Sequence, residues 1–130
     1  LFRSSAASDV YKRQHYLDAG GNSTDGPTLL HRDVYQNHLR GNPDLVKGVR
    51  YDVNWHGRQD ITVRLELRST KAGVQPMTVE KEVASGARVT HWTFIHIDEE
   101  TYTAFGQPEA WRVSVWQGDE MLDEEISFLW

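Results

Sequence analysis

Six histidines are the residues best suited to chemistry in this sequence, and their spacing argues against a shared metal ion. They stand at positions 15, 31, 38, 56, 91 and 96. His91 and His96 lie five residues apart on one predicted strand, so their side chains point to opposite faces. His31 and His38 lie two turns apart on a predicted helix. A zinc site needs three or four converging ligands, so we expect no metal and no cofactor.

The carboxylates and hydroxyls do not form a catalytic set either. Asp123, Glu124 and Glu125 follow one another on a predicted terminal hairpin, where neighbouring side chains face opposite ways. The paired acids of a glycosidase must instead face each other across a cleft about 5–10 Å wide. The sequence has no cysteine, no GxSxG nucleophile motif and no glycine-rich nucleotide motif. We therefore expect that this chain is not an enzyme.

Tryptophan is the residue type that suggests binding, with five copies in 130 residues. Trp55 and Trp111 lie on the apolar rows of predicted strands and are expected in the core. Trp116 has polar neighbours on its strand face and is expected to be exposed, where a Trp can stack on a sugar ring or anchor a protein partner. Trp92 lies on a strand that is apolar on both faces, so its exposure is left open. The candidate binding residues are Trp116, Trp92, Arg112 and His91.

The charge and composition of the chain limit the classes of partner that we expect it to bind. The chain carries 14 basic and 19 acidic residues, a net charge of -5. This balance argues against nucleic acid, because phosphate binding requires a basic stripe. No apolar run approaches the ~18 residues that span a membrane. Without cysteine there is neither a disulfide nor a thiolate metal site, which fits a cytoplasmic protein or a bacterial exported one; a periplasmic or extracellular location is favoured.

The first 14 residues, LFRSSAASDVYKRQ, differ from the acidic chain that follows. They are small, polar and basic, and the first residue is Leu1. The stretch from Ser4 to Gln14 resembles the peptide obtained when sequencing-adapter read-through is translated. We therefore expect residues 1–14 to be a non-native artefact or a disordered tail outside the fold, and the true N-terminus to be missing.

Residues 15–44 are expected to form a linker and lead-in segment. They contain the loop AGGNSTDGP, then TLLHRDVYQNHLRG, in which apolar residues recur at a spacing of three to four. Thr28 is suited to start a helix and Gly41 to end it, with Leu30, Val34 and Leu39 on its apolar face. A short N-terminal helix is the prediction, and an irregular lead-in is the alternative.

From residue 45 the pattern changes to the apolar and polar alternation that is typical of strands. Val49–Trp55 and Ile61–Leu67 alternate strictly. If these two strands are hairpin neighbours, the five-residue loop between them pairs Trp55 with Ile61 and Val53 with Val63 on one face. Weaker patterns over Met77–Val83 and Arg88–Ile97 predict two further strands. A one-turn helix or corner is expected to follow from Asp98.

The last segment, AWRVSVWQGDEMLDEEISFLW, predicts a hairpin around a two-residue turn at Gly118 and Asp119. Opposite charges across a strand pair favour the same register. The expected register has five pairs of opposing residues. They are Trp116 with Met121, Val115 with Leu122, Val113 with Glu124, Arg112 with Glu125, and Trp111 with Ile126.

These elements predict an all-β fold, an antiparallel β-sandwich of about six to seven strands over residues 45–130. The layout resembles immunoglobulin-like and fibronectin type III modules, in which a corner region precedes the penultimate strand as Tyr102 and Phe105 do here. It departs from antibody domains because it has no Cys–Trp–Cys core, and a jelly roll or a small barrel is the alternative fold.

The function predicted from the sequence is that of a non-catalytic β-sandwich module of an exported or surface-associated bacterial protein, acting by packing or protein binding. Two alternatives stay open. One is a carbohydrate-binding module that uses an exposed Trp. The other is an accessory C-terminal domain of a larger enzyme.

Overall fold

The computed structural model describes residues 10–84, 86 and 89–130. In this part of the chain seven strands and two α-helices follow one another. The strands are β1 (Tyr11–Leu17), β2 (Gly48–His56), β3 (Ile61–Ser69), β4 (Met77–Val83), β5 (Thr90–Ile97), β6 (Pro108–Gln117) and β7 (Glu120–Ile126). The helices are α1 (Leu29–Gly41) and α2 (Glu99–Phe105), and a 3-10 turn spans Pro43–Leu45.

Two antiparallel sheets form the fold, which confirms the predicted all-β sandwich. The three-stranded sheet has the order β1-β2-β5, and the four-stranded sheet has the order β4-β3-β6-β7. The core lies between them because the alternating strands turn one apolar row inward and the more polar row to the outer face of each sheet. Side chains with no exposed surface include Tyr51, Val53, Trp55, Val63, Leu65 and Val113.

β2 and β3 are not hairpin neighbours, because these strands belong to different sheets. β2 pairs with β1 and β5, and β3 pairs with β4 and β6. Trp55 and Ile61 are therefore not partners in one ladder, and their apolar rows face each other across the core. A five-residue loop with apolar rows on both sides is compatible with either arrangement, so alternation alone did not distinguish them.

The predicted hairpin between β6 and β7 is present, but most of its register is shifted by a β-bulge at Val115 and Trp116. Trp116 lies opposite Met121 as predicted. Beyond the bulge the other predicted pairs are wrong by one residue, so Val115 faces Asp123, Val113 faces Glu125 and Arg112 faces Ile126. An extra residue in one strand resets which face each later side chain occupies. Leu122 thereby stays in the core, while Glu124 turns outward.

β1 is a strand that the sequence analysis did not predict, since it placed residues 1–14 outside the fold and residues 15–44 in a lead-in. Residues 1–9 lie outside the described residues, but Tyr11–Leu17 pair with β2 along their whole length. Opposing residues share a face, so Lys12 and Tyr16, which oppose Val53 and Val49, point inward. A lysine on the inner row hides the alternation that identifies the other strands.

Helix α1 has the predicted start and end, but it buries only part of the predicted apolar face. The Thr28 side chain accepts a hydrogen bond from the His31 N–H at the first turn. Leu30 and Val34 are exposed, whereas Gln36 and Leu39 are buried. Leu39 is therefore buried as predicted, whereas Leu30 and Val34 are not, because the helix packs through Gln36, which binds the edge of β1.

Helix α2 connects β5 to β6, where the sequence predicted a helix or corner. It begins after Asp98, whose carboxylate accepts a hydrogen bond from the Thr101 N–H at 2.8 Å. Phe105 is buried in the core and Tyr102 packs against it. Within the described residues, neither helix is long and apolar enough to cross a membrane.

Candidate binding surfaces

The structure distributes the four candidate residues over three places. Trp116 and Arg112 lie on the outer face of the four-stranded sheet, both on β6. Trp92 lies on the outer face of the three-stranded sheet, on β5. His91 precedes it on the same strand and points to the opposite face, toward the end of the core. The residues therefore belong to two separate surfaces and one packing contact.

Arg112 is held by carboxylates on both sides. Its guanidinium lies 2.8 Å from Glu124 on β7 and 3.6 Å from Glu66 on β3. The bulge makes the first contact available, because it turns Glu124 to the outer face. Exposed pairs of this kind contribute about 0–1 kcal/mol each. Arg112 thus joins three strands of the sheet.

A groove of about 400 Å³ lies beside Trp116, between the β6–β7 turn and the edge of β4. Its lining includes Thr62, Glu82 and Asp60. The indole N–H of Trp116 donates a hydrogen bond to the Ser114 hydroxyl at 2.8 Å, and the Arg64 guanidinium lies 4.3 Å from the ring centroid. The half-buried ring is therefore fixed against the sheet, next to a hydroxyl and carboxylates that can bind a polar ligand.

An exposed aromatic pair marks the outer face of the three-stranded sheet. The side chains of Trp92 and Phe94 are 40% and 43% exposed, high values for such large apolar groups. They alternate with the buried Thr93 and Ile95, so both rings lie on the outer face of β5. Large aromatic side chains that water reaches are the usual anchors of protein interfaces.

Arginine side chains from β1 and β2 lie near these two rings. The Arg13 Cζ atom is 4.2 Å from the centroid of Trp92, and the Arg50 Cζ atom is 5.6 Å from that of Phe94. A guanidinium over an aromatic face is attracted by the electron density of the ring. The surface is thus an aromatic and cationic face on a molecule of net charge -5.

A buried carboxylate, Asp52, organises these cations. It is 1% exposed and lies 2.7 Å from Arg50, 3.7 Å from Arg13 and 3.5 Å from His15. Desolvation acts to raise the pKa of Asp52, but hydrogen bonds from His15 and Arg50 and their charges outweigh it and hold the pKa below its usual value. Two guanidinium groups share this carboxylate, so the face keeps a net positive charge.

His91 serves packing in this structure. Its ring stacks on Trp55 with centroids 4.0 Å apart and planes 12° apart, and its Nε2 atom lies 3.0 Å from the Gly57 carbonyl oxygen. The side chain therefore closes the end of the core over Trp55. It does not lie on the face that carries Trp92.

Phe94 is a surface residue that the sequence pattern does not identify. Because β5 has apolar residues on both of its faces, the alternation pattern does not show which of its rings faces water. The informative signal is that Thr90–Ile97 contains no Asp, Glu, Lys or Arg, which is unusual for an edge strand. In the described part of the chain, no group of three or more His, Cys, Asp or Glu residues is placed to hold a metal ion.

Comparisons of the chain with models of protein families, with curated proteins and with solved structures found no match.

Proposed function

We propose that this chain is a non-catalytic β-sandwich module that binds another protein through the outer face of its three-stranded sheet. The observation that carries the proposal is the adjacent pair of exposed rings, Trp92 and Phe94, on a strand at the edge of that sheet. Binding energy concentrates in a few large aromatic and arginine side chains. The Cζ atoms of Arg13 and Arg50 lie 4.2 Å and 5.6 Å from the centroids of these rings.

The strand order supports the rest of the proposal. A three-stranded sheet β1-β2-β5 facing a four-stranded sheet β4-β3-β6-β7 is the arrangement expected for a fibronectin type III-like module of the immunoglobulin-like class. Modules of this class are common on cell surfaces. The absence of cysteine is compatible with a bacterial exported or surface-associated protein.

Selection of peptide ligands tests the proposal. The full chain is immobilised and a phage-displayed library of random peptides is panned against it. We expect enriched peptides whose affinity falls about tenfold or more when Trp92→Ala removes a central ring. The matched control is Trp116→Ala, which removes a ring from the other sheet and should leave the affinity unchanged.

Two results would contradict this function. The first is a library that yields no enriched peptide, or peptides equally sensitive to both replacements. The second is turnover of a substrate in a hydrolase panel that disappears on a single Asp or His replacement, which would make the chain an enzyme.

A second candidate function is carbohydrate binding at the groove beside Trp116, favoured by its volume of about 400 Å³ and its polar lining. An aromatic ring beside hydroxyl and carboxylate groups is suited to a sugar. We expect a glycan array to show binding that Trp116→Ala abolishes and Trp92→Ala preserves. An array without signal, together with tryptophan fluorescence that polysaccharides do not change, rejects this candidate.

A further inference from the structure

The backbone of β5 offers hydrogen-bonding groups along its outer edge. β5 pairs with β2 on one side, and the order of the three-stranded sheet makes β5 an edge strand. The His91 carbonyl oxygen accepts a hydrogen bond from the Asn54 side chain of β2, so it faces β2. The Phe94 carbonyl oxygen accepts one from Lys81 Nζ at 3.1 Å, on the side of β4. Alternate residues of a strand point their backbone groups to opposite sides, so Trp92, Phe94 and His96 present theirs to the open edge.

The other edge strands in the described part of the chain are protected. Helix α1 covers β1, because the Gln36 amide donates to the Tyr16 carbonyl at 2.9 Å and accepts from the Tyr16 N–H at 2.8 Å. β4 carries the consecutive exposed charges of residues 80–82, and β7 carries the carboxylates of residues 123–125. Charged edges resist pairing with another strand.

β5 differs from these edges because its eight residues include no Asp, Glu, Lys or Arg. A flat, uncharged and partly apolar edge is a template for strand addition. We propose that the partner contributes an extended, acidic segment that adds to the three-stranded sheet as a new strand beside β5. This inference rests on the proposed function, and it names both the partner chemistry and the mode of binding.

Charge favours an acidic segment over a second copy of this chain. Lys81 Nζ lies at the edge itself, and the Arg50 and Arg13 guanidinium groups lie over the rings of Phe94 and Trp92. Two copies joined through β5 would bring these cations toward their own equivalents, in molecules that each carry a net charge of -5. Carboxylates on an added strand would instead lie beside cations and gain attraction.

Strand geometry specifies the pattern of the segment. Side chains of an added strand alternate between the two faces. Those on the outer face lie next to Trp92, Phe94 and His96, on the face that carries the two arginines, so this row is the acidic one. Those on the inner face lie next to the buried Thr93 and Ile95, so this row is aliphatic. On binding, Lys81 Nζ leaves the Phe94 carbonyl and meets a carboxylate.

The test uses two capped octapeptides, one of alternating Glu and Val and one of alternating Lys and Val, titrated into the 15N-labelled full chain. We expect only the acidic peptide to bind, with saturable amide shifts along β5. Exchange of the Trp92, Phe94 and His96 amide hydrogens should slow about tenfold or more in its presence, because new backbone hydrogen bonds protect them. Added salt should weaken the binding.

Two variants and one control test whether the edge of β5 binds the acidic peptide. Phe94→Glu places a carboxylate on the open edge and should weaken the acidic peptide about tenfold or more. Its matched control is Thr78→Glu on the edge of β4, an equally exposed strand position that should leave the affinity within about twofold. Lys81→Gln removes the edge cation and should weaken binding about twofold to fivefold.

The other outcomes of these experiments would contradict the inference, and each would point to a different explanation. Binding that shifts the side chains of Trp92 and Phe94 without protecting the three amides leaves protein binding in place and rejects strand addition. Equal binding of both peptides, or of neither while panned peptides still bind, rejects the acidic segment. Protection of the three amides in the free chain together with a dimer in sedimentation velocity shows that the occupant is a second copy.

Discussion

At the scale of single residues, Lys12 is an ionisable group that lies partly buried among aromatic rings. Its Nζ atom lies 4.0 Å from the centroid of Trp111 and 5.8 Å from that of Tyr51, between the two sheets. Burial lowers the pKa of Lys12 to about 8, an effect that the negative charge of Glu125 partly offsets. The folded chain therefore binds the Lys12 proton less tightly than the unfolded chain, whose lysine titrates near 10.5.

The first prediction follows from this difference. Between about pH 8 and pH 10 the unfolded state binds more protons at Lys12, so the free energy of unfolding should rise with pH. Above about pH 10 the trend should reverse, because burial raises the pKa of Tyr51 and a hydrogen bond to Asp18 raises that of Tyr35 to about 12. Urea unfolding at a series of pH values measures this.

Lys12→Met is the variant that isolates the effect. It should raise the unfolding free energy at pH 7 and remove the rise between pH 8 and pH 10, since no charge then needs to be buried. The same rise in both proteins would show that Lys12 is not its source.

The second prediction concerns Asp52. Asp52→Asn should cost about 1.5–3 kcal/mol of stability, because it leaves the Arg50 and Arg13 guanidinium groups without their shared carboxylate. Because the pKa of Asp52 is lowered in the fold, this contribution is present above the ordinary carboxyl pKa and is lost as the pH falls through the lower, folded value. Asp33→Asn on the exposed side of α1 is the matched control, and equal losses in chemical denaturation would contradict the account.

At the scale of elements, the third prediction concerns the contact between α1 and β1. Gln36→Ala removes the two hydrogen bonds to the Tyr16 backbone and one to the Ser23 carbonyl. We expect a loss of about 1–3 kcal/mol and faster exchange of the Tyr16 amide hydrogen, while α1 itself persists. Asn37→Ala, on the exposed side of the same helix, should leave that exchange rate unchanged. An unaltered rate in the Gln36 variant would contradict edge protection by α1.

Much of the strand content follows from alternation along the chain, and the failures have local causes. Val49–Trp55 and Ile61–Leu67 alternate because each has one wet and one buried face. The sheet to which each belongs depends on the path of a short loop, which alternation does not encode. β1 escaped prediction because Lys12 occupies an inward position, and the register of β7 failed because one bulge residue resets every later position.

The candidate surfaces were predictable only in part. Trp116 was singled out because its strand neighbours are polar, and it does lie on an outer face. The sequence identifies Trp92 as a candidate binding residue but not its neighbour Phe94. The two faces of β5 are similarly hydrophobic, so the sequence does not show which face is exposed. The cations over these rings come from β1 and β2, which are distant in sequence from Phe94. Contacts of that kind appear only once the sheet order is known.

At the scale of the whole molecule, the residues that stabilise the sandwich are separate from the residues that we propose as partner contacts. The fourth prediction tests this division. Trp55→Ala should cost about 3–5 kcal/mol, because the ring is fully buried. Trp92→Ala should cost about 1 kcal/mol or less, since much of that ring already lies in water. Chemical denaturation of the two variants measures both values, and a large loss at Trp92 would place its ring in the core.

The central claim is that, among the residues that the structure describes, the edge of the sandwich along β5 is open to an added strand. Hydrogen exchange of the free chain at low concentration tests it most directly. We predict alternation along the strand. The amides of Thr93 and Ile95, which face β2, should exchange slowly, and those of Trp92, Phe94 and His96 should exchange about as fast as exposed loop amides. Slow exchange at all five positions in a monomeric chain would show that this edge is already covered and would contradict the account.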